Sequence, residues 1–214
     1  MKIDIESIAP LAAVIFVTLL LYLKKRRRRT SGYLICFTIF YIYLTCVVGY
    51  TILPLPFDPE FFGRDANLMS RINLIPLRDM SVDYLLSVQG VGNIVLGIPF
   101  GFGLPFLLKS DFKSILWRGL FFTLSIEFVQ LVILLFFSLP YRTMDINDVL
   151  LNLSGVMIGY ALFFLFSWIY RKSAPEYEPG GVWIHIHTVL TNQGAKPADQ
   201  SKVRQQAYRG YPDH

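Results

Sequence analysis

Residues 7–29 read SIAPLAAVIFVTLLLYLKKRRRR, an unbroken apolar run from Ser7 to Leu23 followed by six cations, Lys24 to Arg29. A helix of about 17 to 25 apolar residues crosses a hydrocarbon core about 30 Å thick. Such a helix satisfies its own backbone polar groups, as lipid requires. Positive charge flanking a span collects on the cytoplasmic side, and basic segments there are drawn to anionic lipids. The cationic run is therefore read as topogenic and not as a nucleic-acid site, which puts the N-terminus outside. A cleavable signal peptide would carry its cations before the apolar run. Here Asp4 and Glu6 precede it, and no small-residue cleavage site follows.

Four more blocks of the same kind lie downstream, at residues 33–53, 91–108, 115–137 and 148–170. Only 16% of the 214 residues are charged, against about a quarter in soluble domains. The expected fold is all-α: a polytopic membrane helix bundle of about five transmembrane helices with a cytoplasmic C-terminal tail. Residues 1–30 form the first helix and basic run, 31–172 one transmembrane domain, and 173–214 a polar tail. The inner connections carry Lys109, Lys113, Arg171 and Lys172, as this topology requires. The outer connections, 54–90 and 138–147, hold Arg64, Arg71, Arg78 and Arg142, accompanied by Asp65, Asp79 and Asp145. Those arginines run against a topogenic pattern, which makes them candidates for a specific role.

Smaller signals are mostly structural. Cys36 and Cys46 stand about 15 Å apart along one helix, beyond disulfide reach. Phe57, Phe61 and Phe62 suit an interfacial aromatic belt, and residues 81–89 suit a short amphipathic helix. Residues 183–190 alternate in the manner of a strand. His185 and His187 have no third ligand nearby, so neither a metal nor another cofactor is expected.

Three stretches carry polar residues where lipid would not admit them freely. The third span contains Gly97, Pro99, Gly101, Gly103 and Pro105, with Asn93 near its outer end. Prolines kink helices, and the Gly97–Gly101 spacing permits close helix contact. The span is thus either a kinked packing helix or a broken one lining a cavity. The fourth holds Glu127, with Gln130 on the same face; a carboxylate at that depth costs several kcal/mol unless protonated or paired. The last outer loop and fifth span present Arg142, Asp145, Asp148, Asn152, Gly155 and Gly159. From Asp148 the spacing of four, three and four keeps one helical face. Asp145 suits an N-cap and Asp148 the third helical position. Capping does not account for Arg142 or Asn152. The guanidinium fork recognises phosphate and carboxylate, so Arg71, Arg78 and Arg142 either clamp an anionic head group above Glu127 and Asp148 or pair with those acids. No recognisable nucleophile, HExxH pattern or phosphate-binding glycine loop is present.

Taken in order, Asn73-Leu-Ile-Pro-Leu77, Gly92-Asn-Ile-Val-Leu-Gly-Ile-Pro-Phe-Gly101, Ser125-Ile-Glu-Phe-Val-Gln130 and Arg142-Thr-Met-Asp-Ile-Asn-Asp148, continuing through Asn152, Gly155 and Gly159, resemble the VanZ-like family of bacterial membrane proteins. The resemblance covers roughly residues 33–170. It implies a multi-pass protein of the bacterial cytoplasmic membrane, in a family whose founding member is linked to low-level teicoplanin resistance. It also implies that Asn93, Glu127, Gln130, Arg142, Asp145, Asp148 and Asn152 form the family's polar signature. Gly97 departs from the family's usual bulky residue, which predicts a looser third span. A longer spacer between Gln130 and Arg142 sets Glu127 deeper. The leading expectation is a non-enzymatic envelope protein that binds an anionic lipid, such as a polyprenyl phosphate or lipid-linked cell-wall precursor, through Arg71, Arg78, Arg142 and the polar signature. The rival readings are an intramembrane enzyme acting on a lipid phosphate, with Glu127 or Asp148 as general base, and a structural or assembly protein.

Overall fold

The computed structural model describes residues 2–56, 68–78, 80–137, 143–173 and 180–191. Arg64, Asp65, Asp79, Arg142 and the phenylalanines at 57, 61 and 62 lie outside the described residues. Five of the helices are long and apolar enough to cross a membrane. Helix α1 covers Ile5–Lys25 and α2 covers Ser31–Thr51. A single turn, α3 (Val82–Leu85), precedes α4 (Val88–Gly103), and α5 (Phe112–Phe137) and α6 (Ile146–Ser173) complete the bundle. A further helix, α7 (Trp183–Thr191), follows. Four two-residue strands pair as β1 (Lys2–Ile3) antiparallel to β2 (Leu55–Pro56), and β3 (Ile72–Asn73) parallel to β4 (Met144–Asp145).

The helix starts follow from local chemistry. Asp4 accepts from the Ser7 backbone N–H and Ser7 reciprocates, a capping box at the head of α1. Thr30 caps α2 and Asp111 caps α5, the latter at 2.9 Å from the Ser114 N–H. Lys24 and Lys25 in the last turn of α1 complement the helix dipole. Phe121 and Phe128 are 75% and 64% exposed, which is tolerable on a face turned to lipid.

The two ends of the bundle differ in character. At the basic end sit Lys24–Arg29, the α4–α5 turn with Lys109, the end of α6 and α7. At the acidic end sit the C-terminus of α2 and the heads of α4 and α6. The apolar core fills the basic half, where Phe100, Leu104, Ile115, Val156, Tyr160, Phe163 and Leu190 cluster. Phe100 and Phe122 stack there with centroids 4.1 Å apart. Helix α1 buries no residue and leans mainly on α2, with the Tyr41 hydroxyl donating to the Ala12 carbonyl.

The most extensive contact is between α4 and α6, and glycine makes it. A Cβ on Gly97 would fall on the Asn152 carbonyl oxygen, and one on Gly101 would fall on that of Val156. From the other side, Cβ atoms on Gly155 and Gly159 would fall on the carbonyls of Ile94 and Ile98. Backbone therefore lies against backbone over about two turns of each helix, the close approach that small residues permit. This corrects the expectation that Gly97 loosens the third span; its missing side chain is what lets α6 in. Helix α4 also runs unbroken past Pro99, and Pro105 sits in the 3-10 turn (Leu104–Phe106) that ends it. The packing reading of that span holds.

The strand expected at 183–190 is a helix. Ile186, Val189 and Leu190 recur at helical spacing and pack on the core cluster, Leu190 completely buried. The alternating histidines find partners instead of solvent: His185 Nε2 donates to the Phe106 carbonyl at 2.8 Å, and His187 Nδ1 lies 3.0 Å from the Tyr170 hydroxyl. Part of the tail thus belongs to the bundle.

Candidate functional site

The acidic end is built on the first turn of α6. Asp145 occupies the N-cap position, its Oδ1 accepting from the Asn147 N–H at 2.8 Å, and Asp148 falls three residues further on, as its position in the sequence predicts. The same Oδ1 accepts from Asn73 Nδ2 at 2.9 Å. That bond, with the β3–β4 pairing, draws residues 72–73 alongside 144–145. Asn73 Oδ1 in turn accepts from the Ile75 N–H, an Asx turn that bends the chain over the helix head.

Asn147 finishes the attachment. It is 1% exposed, its Oδ1 accepts from the Leu77 N–H and its Nδ2 donates to the Arg78 carbonyl, both at 2.8 Å. Leu77 has φ +64°, a left-handed conformation that costs a non-glycine residue about 1–2 kcal/mol. The asparagine holds it there. Segment 72–78, bounded by Arg71 and Arg78, is thereby fastened at three places to one helix terminus.

Asp148 faces the other way, towards α3 and α4. Its Oδ1 accepts from the Tyr84 hydroxyl at 2.7 Å and its Oδ2 from Gln89 Nε2 at 3.0 Å. Burial, together with the carboxylate it donates to, pushes the Tyr84 phenol above its usual range. Asn93 lies beside Asp148 without reaching hydrogen-bond geometry. Glu127, 2% exposed, comes in from α5, its Oε2 accepting from the Asp145 N–H at 3.3 Å. Among the described residues, the charges that act on it are the carboxylates of Asp148 and Asp145. One turn on, Gln130 Nε2 donates to the Thr51 carbonyl at 3.0 Å, tying α5 to the end of α2.

Five residues expected at the site (Asn93, Glu127, Asp145, Asp148 and Asn152) thus lie on the α4–α5–α6 side of the acidic end. Arg71 and Arg78 border the fastened segment, and Gln130 is spent on a helix-to-helix bond. Among the described residues, no cluster of His, Cys, Asp and Glu is arranged to hold a metal ion.

The VanZ/LLP1 family profile matches residues 40–167, more than half of the chain. The chain belongs to that family. No curated protein and no solved structure matches it. Every candidate site residue named above falls inside the matched region, whereas α1 and α7 fall outside it. Within that region, reading the sequence passed over Asn147, Asn73, Tyr84 and Gln89. Asn147 carried a signal: at the second position of a capped helix start, an amide serves no capping need. Tyr84 and Gln89 carried none, since they reach Asp148 only because the 80–88 turn folds back over α6.

Proposed function

We propose that this VanZ-family protein binds the anionic head group of an amphiphile at the acidic end of its bundle. The ligand class is a polyprenyl phosphate or a lipid-linked cell-wall precursor, and the acidic end faces outward from a bacterial cytoplasmic membrane. The observation that carries the reading is the fastening of the segment between Arg71 and Arg78 to the head of α6. That attachment gives two guanidinium groups fixed origins at the membrane surface, and Arg142 enters the same neighbourhood in sequence. Asp145 accepts through Oδ1 from Asn73 and Asn147, and Asp148 accepts from Tyr84 and Gln89. The acids therefore serve as fasteners, and their charge keeps a phosphate at the arginine rim instead of deeper among the carboxylates. Handling of such a lipid would change what teicoplanin meets at the cell surface.

The test is native mass spectrometry of detergent-purified protein beside the Arg71→Gln, Arg78→Gln and Arg142→Gln variants, with teicoplanin susceptibility of cells expressing each. A co-purifying lipid phosphate lost from folded variants, with susceptibility shifted in parallel, supports the reading. Unchanged lipid association and unchanged susceptibility in folded variants sink it.

A second reading has one observation in its favour. Glu127 is buried beside two other carboxylates, and its hydrogen bond to the protein is the longest at the site. It is the acid least committed to structure, and so the one placed to act as a general base on a lipid phosphate. Turnover abolished by Glu127→Gln in a protein that still binds lipid would establish it.

A further inference from the structure

Beneath the fastened segment, between α4 and α6, two side-chain atoms are buried without a protein partner: Asn93 Nδ2 and Asn152 Oδ1. Asn152 is 1% exposed. Asn152 lies on the α6 face that meets α4, where the glycine contact sets Gly97 against its own carbonyl and Ile94 against Gly155. Asn93, one residue before Ile94, therefore stands at the same level. One atom is a donor and the other an acceptor. A buried amide left unbonded loses its hydration without a replacement partner, and native proteins rarely leave such groups unpaired.

In the native arrangement no protein atom lies in hydrogen-bond geometry to either amide atom. The Asp148 carboxylate beside Asn93 already accepts from Tyr84 on one oxygen and from Gln89 on the other. The neighbouring backbone is committed to the helices, and the glycine contact blocks any shift of α4 along α6. A group that satisfies the pair must accept from Asn93 Nδ2 and donate to Asn152 Oδ1. It must also be small and neutral: the Asp148 carboxylate beside Asn93 disfavours an anion, and an ammonium has no lone pair with which to accept.

We propose that Asn93 and Asn152 form an internal site for one hydroxyl-type group that accepts and donates at once, either a water molecule or a hydroxyl of a bound lipid head group. A water, with its second hydrogen donated to Asp148, would have three partners, the usual number for a buried water; a hydroxyl would meet the two amides alone. The site is independent of the arginine rim and stands whether or not an anion binds there.

Water-edited solid-state NMR of the protein in lipid nanodiscs, with asparagine side-chain amides labelled with nitrogen-15, reads the site directly. Rapid transfer from the water resonance to the Asn93 and Asn152 amides assigns the group to water. Transfer that instead appears only on adding back a hydroxyl-bearing lipid, such as phosphatidylglycerol, to delipidated protein assigns it to a head group. Amides that receive neither overturn the proposal.

Asn152→Leu and Asn93→Leu, singly and together, give an independent readout. A shared bound group predicts that each single change lowers the melting temperature by about 4 °C or more and that the double change costs less than the sum. If the amides are merely unsatisfied, leucine removes the penalty, each change raises the melting temperature, and the proposal fails. Loss of head-group binding in the arginine variants leaves this coupling untouched, so the two ideas fail separately.

Discussion

Replacing Asn147 by alanine should free residues 74–78 from the head of α6 while leaving the helices assembled. The side chain makes two hydrogen bonds of 2.8 Å, to the Leu77 N–H and the Arg78 carbonyl. Each contributes about 0.5–1.5 kcal/mol net. Leu77 and Arg78 are exposed, so water takes over their backbone groups and no burial penalty is added. Release also lets Leu77 leave its left-handed conformation, worth about 1–2 kcal/mol. That strain is present in both proteins, so the substitution itself shifts the opening equilibrium by the two lost bonds, roughly 1–3 kcal/mol or about 5- to 150-fold. The β3–β4 pairing and the Asn73–Asp145 bond remain, so detachment should stop near residue 74. Hydrogen exchange in nanodiscs reads this at the Leu77 and Arg78 amides, which should accelerate by that factor while the amides of α4 and α6 do not change. If Leu77 stays as protected as in the wild type, the asparagine is not what holds the segment. If all helices exchange faster, Asn147 belongs to the core and not to a local fastening.

Leucine at Gly101 or Gly159 would set a side chain against the Val156 or Ile98 carbonyl, which should cost at least about 1–3 kcal/mol and lower the melting temperature in detergent by several degrees. Alanine at Gly180, where a Cβ would meet nothing within 4 Å, serves as the neutral control. Tyr84→Phe removes a 2.7 Å donor from Asp148, a bond to a charged group worth about 1.5–3 kcal/mol, and should speed exchange across residues 82–86. The docking of α7 should weaken in acid. Burial, aided by the Arg29 charge, holds the His185 pKa below its ordinary value near 6.5. The neutral ring's stabilisation is thus complete above about pH 6.5 and is lost as pH falls through the lower folded value. Trp183 fluorescence should report release of α7 between neutral and acid pH, and His185→Gln should flatten the transition.

Local signals carried the architecture a long way. Apolar blocks of spanning length gave all five long helices within a few residues, because a membrane span is specified by its own composition. The capping chemistry at Asp145 and Asp148 was equally legible, since it depends on positions one to three residues apart. What stayed hidden depends on contacts between distant segments. The β3–β4 pairing joins residues about 70 positions apart through backbone atoms that leave no side-chain pattern. The helix at 183–191 was obscured because a run such as Ile184-His185-Ile186-His187 fits a strand's period as well as a helix's. Docking settled the ambiguity by pairing both histidines. Gly97 misled for a related reason: a small residue signals looseness only until the facing backbone is known.

The arrangement at the acidic end also decides which substitutions can tell chemistry from architecture. Asp148→Asn looks conservative, yet an amide can accept on only one of its two terminal atoms. It keeps the bond from Tyr84 and turns an N–H towards Gln89, whose amide must flip to accept it, so both anchors lose their charge assistance and one must rearrange. Asp145→Asn also alters the site, since it takes the N-cap charge from the α6 dipole. Loss of activity in either variant would say nothing about catalysis. Glu127→Gln is different. Among the described residues, its one hydrogen bond is accepted from the Asp145 N–H, and a glutamine carbonyl oxygen accepts the same bond in the same shape. A variant that keeps the fold, keeps the lipid and loses only turnover can arise there. If Glu127→Gln instead melts early, the carboxylate itself holds the bundle together, and the family's intramembrane acid is a fastener like the other two.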